Sequence, residues 1–112
     1  LPRLVGLQRA TALMMLGEKI SAEDAARYGM IYQYYEDERF EKAVNQIAAS
    51  LAMLPTTALI LTRTALLQSS GNTLDQQLEL EKNYQDQAGH TRDFKEGVTA
   101  FLEKRLPVFT GK

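Results

Sequence analysis

Gly17 to Tyr35, GEKISAEDAARYGMIYQYY, holds a helix start, a helix stop and a change of periodicity within nineteen residues. Ser21 can accept from the amide three places on, and Asp24 stands where a capping carboxylate reaches back. Ala22 to Tyr28 follow as helix formers, Gly29 takes a left-handed conformation at least cost, and Met30 to Tyr35 is extended in character. The stretch therefore predicts a short helix, a turn and a short extended segment with apolar residues on both sides: a docking element with no ligand site of its own.

Upstream, LPRLVG reads as a turn of helix ended by Gly6. Leu7, Ala10, Leu13, Met14 and Leu16 then recur at helical spacing until Gly17 closes the segment. Met14 and Met15 read as flexible core filler or as the lining of an acyl pocket, with core filler favoured. Downstream, Asp37 starts an amphipathic helix whose Phe40, Val44, Ile47 and Leu51 make one stripe, broken at Leu54-Pro55. The next helix, Thr57 to Ser69, is apolar over most of its circumference and is expected to be the most buried. Thr73 with Gln76 forms a capping box that opens a polar helix to about Ala88, anchored by Leu74, Leu78, Leu80 and Tyr84. Thr91 caps the last helix, Asp93 sits in its first turn, and Phe94, Val98, Phe101 and Leu102 form its stripe. Lys104 and Arg105 close it, and Leu106 to Phe109 leave as an extended tail.

The fold class is all-α: about six helices with one short extended segment in a single domain of 112 residues. A composition of 45% apolar and 24% charged residues fits a folded domain, and a net charge of −1 removes the electrostatic case for nucleic acid or an anionic membrane as partner. Without cysteine there is neither a disulfide framework nor a thiolate metal site, so a reducing, cytoplasmic setting is the expectation. No apolar run is long enough to span a bilayer as a helix. A first residue of Leu1 rather than Met reads as a domain cut from a longer protein.

Acid, base or nucleophile chemistry finds little support in the residues. His90 is the single histidine, follows a helix-ending glycine, and reads as an exposed loop residue. Glu36, Asp37, Glu38 and Glu41 read as charges that suit a helix N-terminus. Ser69-Ser70-Gly71 lacks the context of a nucleophile elbow or a phosphate loop. Phe101-Leu102-Glu103-Lys104-Arg105 keeps some ligand potential, because two adjacent cations at a helix end either hold phosphates or simply complement the dipole.

Taken together, LPRLVG, LGEKISAEDAARYGMI and EGVTAFLEKRLPVFTGK occur in the order and spacing of the carboxy-terminal third of the enoyl-CoA hydratase/isomerase (crotonase) superfamily, which the chain resembles over nearly its whole length. NTLDQQLELEKNYQDQAGHTRDFKEGV is most similar to the phenylacetate-degradation isomerases, which act on the ring epoxide of phenylacetyl-CoA and on related enoyl-CoA thioesters. The resemblance implies an amino-terminal spiral domain, absent here, that holds the thioester and supplies two backbone N–H groups to a CoA enolate. The catalytic acid would lie just upstream of Leu1-Pro2-Arg3, leaving no catalytic residue in this chain and an inert fragment. What remains would be the helical trimerisation domain of a homo-trimer or hexamer, with an acyl-CoA thioester as substrate and no permanently bound cofactor.

The resemblance also implies site residues. Lys104 corresponds to a lysine that in some family members approaches the CoA phosphates of a neighbouring subunit, with Phe101 in the same A-F-x-E-K-R match. Gln85 falls near the position where short-chain hydratases place an aromatic residue by the adenine, and Tyr84 is either its substitute or a packing residue. The alternatives are a short-chain enoyl-CoA hydratase of fatty-acid oxidation, a non-catalytic family member, and a free-standing helical module whose stripes recognise a partner helix.

Overall fold

The computed structural model describes residues 1–112 and contains seven helices and no strand. These are α1 (Pro2–Val5), α2 (Leu7–Leu16), α3 (Ala22–Arg27), α4 (Asp37–Ala52), α5 (Thr56–Ser69), α6 (Leu74–Gly89) and α7 (Arg92–Glu103). The helices group into two compact units, Leu1–Gln46 and Ile47–Lys112. The division falls inside α4.

In the first unit, Pro2 opens α1, where its missing N–H costs no hydrogen bond and its fixed φ suits the helix. Gly6 ends it by donating to Pro2 O at 2.9 Å. α2 packs on α1, and Val5 and Ala10 are the buried apolar residues here. Gly17 closes α2 in the left-handed conformation, φ 65° and ψ 21°. Ser21 Oγ accepts from Asp24 N at 3.0 Å, so α3 starts where the sequence placed it. The Asp24 carboxylate pairs with Arg27 instead of completing a capping box. After α3, Gly29 stands at φ 74°, its N–H donates to Ala26 O and the next N–H, from Met30, donates to Ala25 O. This pair of bonds is the Schellman motif with glycine in its usual place.

The all-α class holds, and the stretch read as extended takes part in no sheet. Met30 to Tyr32 bend, 33–36 run without regular structure, and no partner strand pairs with them. β-Propensity describes fit to a pleated, half-buried surface, and with no neighbouring strand that propensity has nothing to act on.

In the second unit, α5 packs on α6 and α6 on α7. The full capping box at the start of α6 is formed: Gln76 N donates to Thr73 Oγ1 at 3.3 Å and Thr73 N donates to Gln76 Oε1 at 2.9 Å. Thr91 Oγ1 accepts from Phe94 N at 3.1 Å and starts α7.

Three burial expectations fail. No residue of α5 is buried, and Ile60, Leu66 and Leu67 are exposed. Ala58, Leu61 and Ala65 line the groove shared with α6 and are half-buried, so the apolar circumference is covered in part only. On α6, Leu74 and Leu78 are exposed, while Gln77 faces α5 and donates to Ala65 O. Met14 and Met15 are also exposed and fill no core. The buried apolar residues are Val5, Ala10 and Ala100.

Candidate functional site

The end of α7 is held by a network of polar contacts. α7 stops at Glu103, and Lys104 adopts φ 55° and ψ 38°, the one non-glycine residue at positive φ. Lys104 N donates to Phe101 O at 3.2 Å and Arg105 N donates to Ala100 O at 3.0 Å, the same Schellman pair that follows α3. A side chain in the left-handed region crowds its own backbone, at a cost of roughly 1 kcal/mol relative to glycine.

Arg105 pins the turn from the other side. Its guanidinium forks onto Glu96 at 2.6 and 3.0 Å and reaches Glu103 Oε2 at 2.6 Å. Glu96 Oε1 also accepts from Val108 N at 2.8 Å. These bonds, that from Arg105 foremost and that from Val108 second, hold the Glu96 carboxyl down to about 2 from 4.5. Glu96 first and Glu103 second raise the guanidinium above its ordinary range. Of the two cations read as phosphate candidates, Arg105 is therefore committed to carboxylates of its own chain. Lys104 is exposed and enters no ion pair.

The tail beyond this turn is clasped by Asp93, which the sequence placed only in the first turn of α7. Asp93 is 2% exposed. Its Oδ1 accepts from Thr110 N at 2.7 Å and from Thr110 Oγ1 at 3.3 Å, and its Oδ2 accepts from Gly111 N at 2.8 Å. Asp93 N donates to Lys112 O at 3.0 Å, and Thr57 Oγ1 donates to Gly111 O at 2.9 Å. The tail thus lies back along α7, and the ring of Phe109 stands 3.6 Å from where a side chain on Gly97 would begin.

Two grooves flank these elements. One, of about 260 Å³ between α5 and α6, has a floor of Ala58, Leu61 and Ala65 and a rim that includes Gln77, Glu81, Tyr84 and Gln85. The other, of about 390 Å³, is apolar and is lined by Phe94, Val98, Phe101, Leu102 and Phe109. Ala58 and Ala88 border both. Tyr84 and Gln85 thus share one groove, Phe101 lines the adjacent one, and Lys104 lines neither.

The remaining candidates line neither groove. His90 caps the end of α6, its Nδ1 2.7 Å from Asp86 O, on the surface as expected. Asp37 and Glu38 occupy the first turn of α4. No three His, Asp or Glu side chains gather as a metal cluster, and no single helix is long and apolar enough to cross a membrane.

The enoyl-CoA hydratase/isomerase family matches residues 1–112. The chain is 48% identical over all of its 112 residues to 1,2-epoxyphenylacetyl-CoA isomerase of Escherichia coli K12, and covers 43% of that protein. It is 32% identical over 112 residues to crotonyl-CoA hydratase of Syntrophomonas wolfei, again covering 43%. A crystal structure of enoyl-CoA hydratase/isomerase from Cupriavidus metallidurans CH34 aligns with a TM-score of 0.89 at 38% identity, over 99% of this chain and 42% of the other. The chain spans less than half the length of these relatives.

Proposed function

Given that the chain belongs to the enoyl-CoA hydratase/isomerase family, we propose that it is the carboxy-terminal helical part of an isomerase acting on an epoxidised phenylacetyl-CoA or a related CoA thioester. The observation that carries this reading is the 48% identity to the E. coli isomerase, sustained from the first residue to the last. On this reading the chemistry is proton transfer beside an enolate stabilised by preorganised backbone donors. The acid and those donors come from residues outside these 112. The helices contribute assembly into a trimer or hexamer and a contact to the nucleotide end of coenzyme A. Lys104 meets phosphate, Phe101 lines the flanking groove, and Tyr84 with Gln85 borders the adenine side. The substrate is the only coenzyme A derivative required, and the protein works in the cytoplasm.

The test is turnover. A protein carrying this chain together with the rest of the family fold is expected to isomerise 1,2-epoxyphenylacetyl-CoA without mass change, with a higher kcat/KM than for hydration of crotonyl-CoA. The reverse preference would move the assignment to a hydratase, and turnover of neither would remove the catalytic reading. The 112 residues alone are expected to turn over neither, and activity in them would overturn the assignment of catalysis to residues elsewhere.

A further inference from the structure

The chain makes the same helix-ending turn twice and fills it differently. After α3 the left-handed position holds Gly29 at φ 74°, and after α7 it holds Lys104 at φ 55°. Both turns close with the same two hydrogen bonds. Glycine satisfies the first without strain, so the geometry does not call for a lysine at the second. A strained backbone persists where its surroundings over-determine it, and the inference runs from such an outlier to a role. The surroundings here are specific. The Arg105 fork on Glu96, its second contact to Glu103 and the Val108 N–H on Glu96 tie the residues on both sides of Lys104 to α7. Arg105 is thereby engaged with two carboxylates, whereas Lys104 enters no ion pair.

We propose that Glu96 and Arg105 are positioning residues: they hold Lys104 in its left-handed conformation and so preset its ammonium for the phosphate groups of a coenzyme A thioester. The proposal rests on the reading of Lys104 given under Proposed function. A lysine is a point charge on a flexible stem, and fixing its backbone lowers the entropy lost when it meets an anion. Arginine in the next position is kept from competing, because its planar fork is already filled by a carboxylate.

In a protein carrying this chain together with the rest of the family fold, the experiment compares a CoA thioester with the N-acetylcysteamine thioester of the same acyl group, which lacks the nucleotide phosphates. Glu96→Gln is expected to raise KM for the CoA thioester several-fold, to leave kcat in place, and to leave both constants for the N-acetylcysteamine thioester unchanged. Lys104→Ala is expected to do the same, and the double variant to be no worse than Lys104→Ala alone, since one residue acts through the other. Arg105→Lys, which keeps the charge and loses the fork, should follow Glu96→Gln and provides the reading if that variant folds poorly. If Lys104→Ala raises KM while Glu96→Gln and Arg105→Lys do not, the positioning role falls and the phosphate contact stands. If Lys104→Ala leaves KM unmoved, the contact itself falls. Equal effects of Glu96→Gln on both thioesters would reduce Glu96 to a structural residue.

Discussion

Replacing Asp93 by asparagine is expected to release the carboxy-terminal tail. The carboxylate is 2% exposed and its two oxygens accept three hydrogen bonds, from Thr110 N, Thr110 Oγ1 and Gly111 N. An asparagine side chain keeps one acceptor and turns an N–H donor toward whichever tail amide the other oxygen served. Hydrogen bonds to a charged group are worth about 1.5–3 kcal/mol, and a buried donor left unsatisfied costs about 1–3 kcal/mol. Loss of a negative charge from the first turn of α7 adds a few tenths of a kcal/mol. A loss of about 2–3 kcal/mol follows, a large share of a total that runs at roughly 0.05–0.15 kcal/mol per residue. At about 4 °C per kcal/mol for a chain of this size, Asp93→Asn should lower Tm by about 10 °C. Far-UV circular dichroism reads the global change. Hydrogen exchange at Thr110 and Gly111 reads the local one, where protection should disappear. Asp86→Asn, at a side chain 75% exposed, is the control and should stay within about 0.5 kcal/mol. A Tm drop below about 2 °C with both tail amides still protected would refute the clasp.

Acid should open the neighbouring turn. The Glu96 carboxyl is held down to about 2 from 4.5, and a depressed carboxyl contributes its stability above the unfolded value and loses it as pH falls through the folded one. The protection factor of the Val108 amide, its exchange rate relative to the intrinsic rate at the same pH, should therefore be high above pH 4.5 and fall as pH drops toward 2; protection lost near neutrality, or retained below that window, would contradict the Glu96 assignment. Lys104→Gly should raise stability by about 0.5–1 kcal/mol, because glycine occupies φ 55° without crowding. A denaturation midpoint that fails to rise would show that the turn carries no strain.

What the sequence disclosed was local. Ser21, Thr73 with Gln76, and Thr91 cap helices through bonds that span three residues, and Gly17 and Gly29 end helices through their own backbone freedom. Such signals are written within one turn of chain, so they can be read without knowing what packs where. The clasp is not of that kind: Asp93 and Gly111 are 18 residues apart and meet only after the tail has folded back. The end of α7 at Lys104 and Arg105 was legible from the two cations, but the pairing of Glu96 with Arg105, nine residues apart, depends on the left-handed turn at Lys104, which residue types did not disclose. Nor could residue types decide the burial of α5, whose apolar circumference says that many faces prefer cover but leaves open how many neighbours arrive. Of the site candidates, Tyr84 and Gln85 share a groove because they are adjacent on the side of α6 that meets α5, which helical spacing alone does not orient.

The uncovered stripes can be weighed against the area of a folded protein. A chain of 12.6 kDa ordinarily exposes about 6,200 Å², or about 7,500 Å² if its two units are counted as separate bodies. This chain exposes 9445 Å². The excess, on the order of 2,000–3,000 Å², is larger than the roughly 800 Å² per partner of a standard protein interface and reaches the range of obligate ones. Phe40, Val44, Ile47 and Leu51 on α4 and Phe94, Val98, Phe101 and Leu102 on α7 contribute to it, and they are the very residues whose helical spacing made those helices legible. A periodic stripe records that a face evolved to be buried without recording against what. For α7 the consequence is functional as well as structural. Phe101 lies three residues before Lys104, so an apolar group suited to burial and an unpaired cation share one helix end. Covering the one limits the solvent around the other, where a phosphate contact gains strength. Assembly and coenzyme A recognition, proposed above on separate grounds, would then act through the same few residues.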